Sequence, residues 1–263
     1  MPANEDAIKV VGGKVTNMLW IEMMGPPGSG KTTVYRRLIE QEGFFGGRRN
    51  FLRRKLKADA DPLPRTVYRM LPRHIRGIVD DKVLSRHFTY DAFNNFVRRH
   101  PKFLVVLHDI VDATYPDNSD VFTWTKQSAE RYQLGIDTVG SEETLVFDEG
   151  LIQRACSILL RNNENEYLSS TYLDSIPLPE IVVHINAPTE LCLQRREDRN
   201  RTIKSQKWRA GNMAEEQDLF REICFQVSEC LSDYSKIIRI DNTSTVDDTV
   251  EQLISALSKH DQK

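Results

Sequence analysis

Apolar residues fall into two alternating patterns along most of this chain. Short continuous runs read as buried strands: Met18 to Met24, Thr144 to Phe147, Ile181 to Ile185 and Lys236 to Asp241. Between them lie stretches with apolar positions three and four apart, which read as helices with one buried face. Val34, Leu38 and Ile39 mark such a face from Thr33 to Glu42, and Gly43 ends it. Helices follow the later runs from Leu151 to Arg161, after Pro188, and from about Val246 to Leu257. Strands alternating with helices predict an α/β fold with a parallel sheet covered on both faces.

The middle of the chain departs from that alternation. Residues 65–142 read as mostly helical, with Phe88, Ala92, Phe93, Phe96 and Val97 at helical spacing before Pro101. Phe44-Phe45-Gly46-Gly47 reads as a turn and Asp61-Pro62-Leu63-Pro64 as a break. Between these, the basic stretch Arg48 to Lys57 suits either a short strand or an amphipathic helix. Residues 1–16 read as a loose leader, and His184, inside a strand, as a core histidine with its hydrogen bonds satisfied. A single domain over 1–263 is expected, carrying a helical insertion at about 62–142.

Composition narrows the class. With 263 residues, 40% hydrophobic and 28% charged, the chain can bury a sizeable core. A net charge of −2 offers no general attraction to nucleic acid or membranes. The local exception is Arg48 to Arg86, with twelve Lys/Arg against four Asp. No apolar run approaches the ~20 residues of a membrane span, and the opening Met-Pro-Ala-Asn-Glu-Asp lacks the apolar core of a secretory signal. Cys156, Cys192, Cys224 and Cys230 show no metal-binding spacing and read as buried reduced thiols, which suits a cytoplasmic location.

The chemistry enters where the first apolar run meets Gly25-Pro26-Pro27-Gly28-Ser29-Gly30-Lys31-Thr32-Thr33. This is the phosphate-loop pattern Gly-x-x-x-x-Gly-Lys-Thr in its required setting, a strand before and a helix after. A chance match in a chain of this length is roughly a one-in-a-hundred event. The loop's backbone N–H groups and the helix N-terminus would cradle a nucleotide phosphate. Lys31 would reach the outer phosphates, and the Thr32 hydroxyl would sit on Mg²⁺. Asp148 and Glu149 end a later strand, where an open α/β sheet binds its ligands. A carboxylate there would hold the metal or orient an attacking hydroxyl. Arg195 and Arg199, one helical turn apart in an arginine-rich run, suit the charge of a transferred phosphoryl group.

With these pieces in place, the chain resembles the P-loop kinases of the nucleotide, nucleoside and small-molecule group, such as thymidylate kinase and the deoxynucleoside kinases. The matching residues are Gly25 to Thr33, Val146 to Gly150 and the Ile181–Arg201 run. The resemblance implies a P-loop NTPase three-layer fold, with a five-stranded parallel sheet in strand order 2-3-1-4-5. It also implies ATP with Mg²⁺ on the loop, and an arginine-bearing lid over about residues 195–212. The implied activity is transfer of the γ-phosphoryl of Mg-ATP to a hydroxyl or phosphate of a small molecule. Asp148-Glu149-Gly150 differs from the Asp/Glu-Arg-Ser and Asp-Arg-Tyr of those two families, and the acceptor stays unidentified. A homodimer stays open. The basic stretch keeps a polynucleotide 5′-hydroxyl kinase as the main alternative, followed by a regulatory P-loop ATPase; nucleic acid is not the favoured partner. A GTPase is disfavoured because no Asn-Lys-x-Asp motif occurs.

Overall fold

The apolar runs pair with one another. The computed structural model describes residues 8–11, 14–17, 19–59, 62–114, 120–161, 166–202 and 213–258. In chain order, β1 (Ile8–Val11) and β2 (Lys14–Asn17) form a small antiparallel hairpin of their own, where a loose leader was expected. The central sheet is built from β3 (Trp20–Met24), β4 (Phe44–Gly46), β5 (Thr144–Phe147), β6 (Ile181–Asn186) and β7 (Lys236–Asp241). All pairings are parallel, in the order β4-β5-β3-β6-β7. Numbered within this sheet, that is 2-3-1-4-5, the P-loop kinase arrangement. Its switch point lies at the carboxyl end of β3, where the connections leave to opposite sides and a crevice opens.

Two layers of helix cover the sheet. On one face, α1 (Lys31–Leu38) and α12 (Val246–Ser258) pack Val34, Leu38, Val250 and Leu253 against Ile21, Met23 and Val183. The other face receives a thicker layer. It consists of α2 (Arg48–Asp59), α3 (Pro62–Met70), α4 (Arg73–Val79), α5 (Ser85–Arg99), α6 (Lys102–Thr114), α7 (Asp120–Thr138), α8 (Leu151–Arg161), α9 (Glu166–Leu173), α10 (Thr189–Thr202) and α11 (Met213–Cys230). A π-helical turn, Asp80–Leu84, joins α4 to α5. An aromatic cluster fixes this layer to the sheet, with Trp20 and Tyr132 ring centroids 4.6 Å apart and Phe45 and Phe51 5.3 Å apart.

Several local expectations are corrected here, and the basic stretch, left open between strand and helix, is decided. Phe44–Gly46 is a strand rather than a turn, because its backbone pairs with Thr144 to Val146 of β5. A three-residue strand leaves too little alternation to be read from sequence. The basic stretch is helix α2, with Phe51, Leu52 and Leu56 buried. His184 of β6 is buried, but neither ring nitrogen has a hydrogen-bond partner. Burial pushes its pKa down to about 4, so it stays neutral. Three of the four cysteines are buried free thiols, whereas Cys230 is exposed. Among the described residues, no helix is long and apolar enough to cross a membrane.

Candidate active site

Strand β3 delivers the chain into a turn at the sheet's switch point, and α1 begins at Lys31. Gly28 has φ +86°, and a Cβ there would overlap the carbonyl oxygen of Cys192 on α10. Two of the loop's carbonyls and one of its amides are held by partners from three distant segments. Gln217 Nε2 of α11 donates to Pro27 O at 2.9 Å, and Asn242 Nδ2, just past β7, donates to Ser29 O at 2.7 Å. Gln153 Oε1 of α8 accepts the Gly25 N–H at 3.0 Å. Lys31 Nζ closes the loop from inside, donating to Gly25 O at 2.5 Å and Pro26 O at 3.0 Å. Burial pushes the Lys31 pKa down from its ordinary value.

The amides of Gly28, Gly30, Lys31 and Thr32 have no acceptor among the described residues. The Ser29 hydroxyl is also buried without a partner. Unpaired donors in a cradle at a helix N-terminus are the makings of an anion site. They border a cavity of about 350 Å³ lined by Gly28, Gly30, Lys31, Thr32, Thr33, Glu149, Arg195, Arg196, Arg199, Asn242 and Val246. The structure thus brings Thr32, Glu149 and both lid arginines to the loop. Arg195 is braced, with Nη2 donating to Asn242 O at 3.1 Å, whereas Arg199 is exposed. The part of the lid over 203–212 lies outside the described residues.

Asp148 sits beside this cavity rather than in its lining. It is half-buried, and burial followed by the neighbouring Glu149 charge raises its pKa, with Arg131 of α7 opposing. Its charge is felt in turn by the Tyr35 phenol of α1. Glu149 does line the cavity, with Oε2 3.4 Å from Arg154 Nη2. Thr32 and Glu149 together present hard oxygen donors beside the phosphate cradle, which suits Mg²⁺ held by one or two protein oxygens plus phosphate and water.

A buried acid, Glu22, lies on the strand that leads into the loop. Alternation along β3 sends it to the α8 face with Trp20 and Met24. It is fully buried and accepts the N–H groups of Leu151 and Gln153, each at 3.0 Å, so it caps α8. A Cβ on Gly150 would fall against this carboxylate, which explains the glycine after Glu149. Glu22, Gln153, Gln217 and Asn242 were not singled out from the sequence. Only an acid inside an apolar run signalled Glu22, and nothing local marked the three amides.

The basic stretch is largely engaged internally: Arg53 pairs with buried Asp80 at 2.7 Å, and Arg54 pairs with Glu143. No family model and no curated protein sequence matches the chain. Solved structures do share its fold. A deoxyadenosine kinase from M. mycoides with bound dATP superposes with TM-score 0.50 at 13% identity, over 92% of this chain and all of that one. The same enzyme with bound dCTP gives 0.49 at 13%, with the same coverage.

Proposed function

We propose that the chain is an ATP-dependent phosphotransferase acting on a small molecule. The observation that carries this is one cavity bordered by four backbone amides without an acceptor among the described residues, the Lys31 ammonium, three arginine side chains and a carboxylate. ATP phosphates would replace the Gly25 and Pro26 carbonyls as partners of Lys31. Thr32 and Glu149 would hold Mg²⁺, which would supply positive charge to offset that of the phosphates. The bond between the γ-phosphorus and the β-bridging oxygen breaks as the acceptor hydroxyl oxygen bonds to that phosphorus. Asp148, its basicity raised by burial and by Glu149, takes the hydroxyl proton, and ADP leaves. Arg195 and Arg199 carry positive charge to the developing metaphosphate.

The nucleotide-bound kinases that share the fold support a nucleoside or related acceptor as the first class to screen. The internal pairing of Arg53 and Arg54 weighs against a polynucleotide track along α2. The test is ATP consumption across nucleosides, nucleotides, sugars, amino alcohols and oligonucleotides, with Lys31→Ala as control. Removing that charge should lower transfer by about 10²-fold or more, with the far-ultraviolet circular dichroism unchanged. Wild-type turnover by the folded variant would sink the proposal.

A further inference from the structure

Beside the phosphate cavity lies a second one, of about 120 Å³, lined by Pro27, Glu149, Gln153, Arg154, Ser157, Leu160, Arg161, Arg196, Glu216, Gln217 and Phe220. The two share Glu149 and Arg196, so they meet where a phosphoryl group would pass from donor to acceptor. We infer that this second cavity binds the acceptor, and that the acceptor is a small hydroxylated molecule carrying a phosphate or a carboxylate. This inference rests on the phosphotransferase reading and narrows its substrate class.

Three guanidiniums face the cavity against two carboxylates, and Glu216 is exposed to solvent. Arg161 is the telling one. Its guanidinium carbon lies 4.8 Å from the Trp124 ring centroid, and its Nη1 donates only to the Ser157 carbonyl at 3.1 Å. No carboxylate reaches ion-pair distance of Arg161 among the described residues. Arg154 is largely buried, with Nε on Ser128 Oγ at 3.0 Å and one long contact to Glu149. Arg196 is buried and held by Gln217 Oε1 at 2.9 Å, the same glutamine that braces the phosphate loop. Burial, then the repulsion of Arg154, lowers the Arg161 pKa, with the Glu216 and Asp120 charges opposing, and a bound anion would act in the same sense as those two carboxylates.

Planar guanidiniums fixed by stacking and amide contacts are suited to forked recognition of phosphate or carboxylate oxygens. Leu160 and Phe220 give the wall an apolar side for a carbon skeleton. An anion anchored there leaves its hydroxyl toward Glu149 and the donor phosphates.

The test fills the phosphate loop first, with the non-hydrolysable analogue adenylyl imidodiphosphate and Mg²⁺. Inorganic phosphate, malonate and neutral glycerol are then titrated by calorimetry, with Trp124 fluorescence as a second readout. Saturable one-to-one binding of phosphate or malonate, but not glycerol, is expected, and comparing the two anions identifies the preferred head group. Arg161→Gln should weaken that binding by about tenfold or more, the size of one charge-assisted hydrogen bond, and leave the analogue's Kd within about twofold. Arg161→Lys, which keeps the charge, should fall between them and guards against a misfolded glutamine variant. Normal analogue binding with no saturable anion, or with an anion affinity indifferent to both variants, overturns the inference. Failure of the wild type to bind the analogue would instead defeat the phosphotransferase reading, and this inference with it.

Discussion

Replacing Glu22 with glutamine should change how the stability of the protein depends on pH. In the wild type, burial raises the Glu22 pKa from 4.5 to about 7, overcoming the amides of Gln153, Ile152 and Leu151 and the Arg154 charge that all favour ionisation. A raised folded value means the folded state holds its proton longer than the unfolded one. The stabilisation is therefore complete below pH 4.5 and drains away as pH rises through about 7. Taking 1.36 kcal/mol per unit, the loss is about 3 kcal/mol in all, and about 2.5 kcal/mol of it falls between pH 5 and pH 8. Glutamine does not titrate, but its amide presents a donor to one of the α8 N–H groups, a cost of about 1–3 kcal/mol. The variant should thus be the less stable protein at pH 5 and draw level with, or overtake, the wild type at pH 8. Urea unfolding of both proteins at the two pH values, with m-values compared, measures this difference of differences. Stability curves that run parallel with pH would show that Glu22 is ionised throughout the range and that the buried-acid reasoning is wrong.

Two further outcomes test the phosphate loop and the base. Gly28→Ala places a methyl group against the Cys192 carbonyl at φ +86°, so Mg-ATP affinity should fall by about tenfold or more while the sheet survives. An unchanged Kd would mean that α10 does not fix the shape of the loop. Asp148→Asn should lower kcat with little change in ATP Kd, since a group that takes the acceptor proton acts in the transition state. A full effect from Glu149→Gln, with none from Asp148→Asn, would exchange the roles of the two acids.

Much of this was legible in the chain because the information is local. Val34 and Leu38 at helical spacing, the apolar runs at Ile181 and Lys236, and the spacing of Gly25, Gly30 and Lys31 each carry their signal within a few residues. A run buried on both faces reads as a parallel strand whatever surrounds it. The glycine-rich turn was legible for the same reason, since its glycines and lysine are fixed by backbone geometry. What binds that cradle in place was not. Gln153, Gln217 and Asn242 reach it across 128, 190 and 213 positions of sequence, and an amide in a helix or loop announces no such role beforehand. Strand β4 and the capping of α8 by Glu22 likewise exist only once β5 and Gly150 are beside them. The surroundings of Asp148 and Glu149 were decided by packing as well. Adjacent in sequence, they meet different charged neighbours, Arg131 for one and Arg154 for the other.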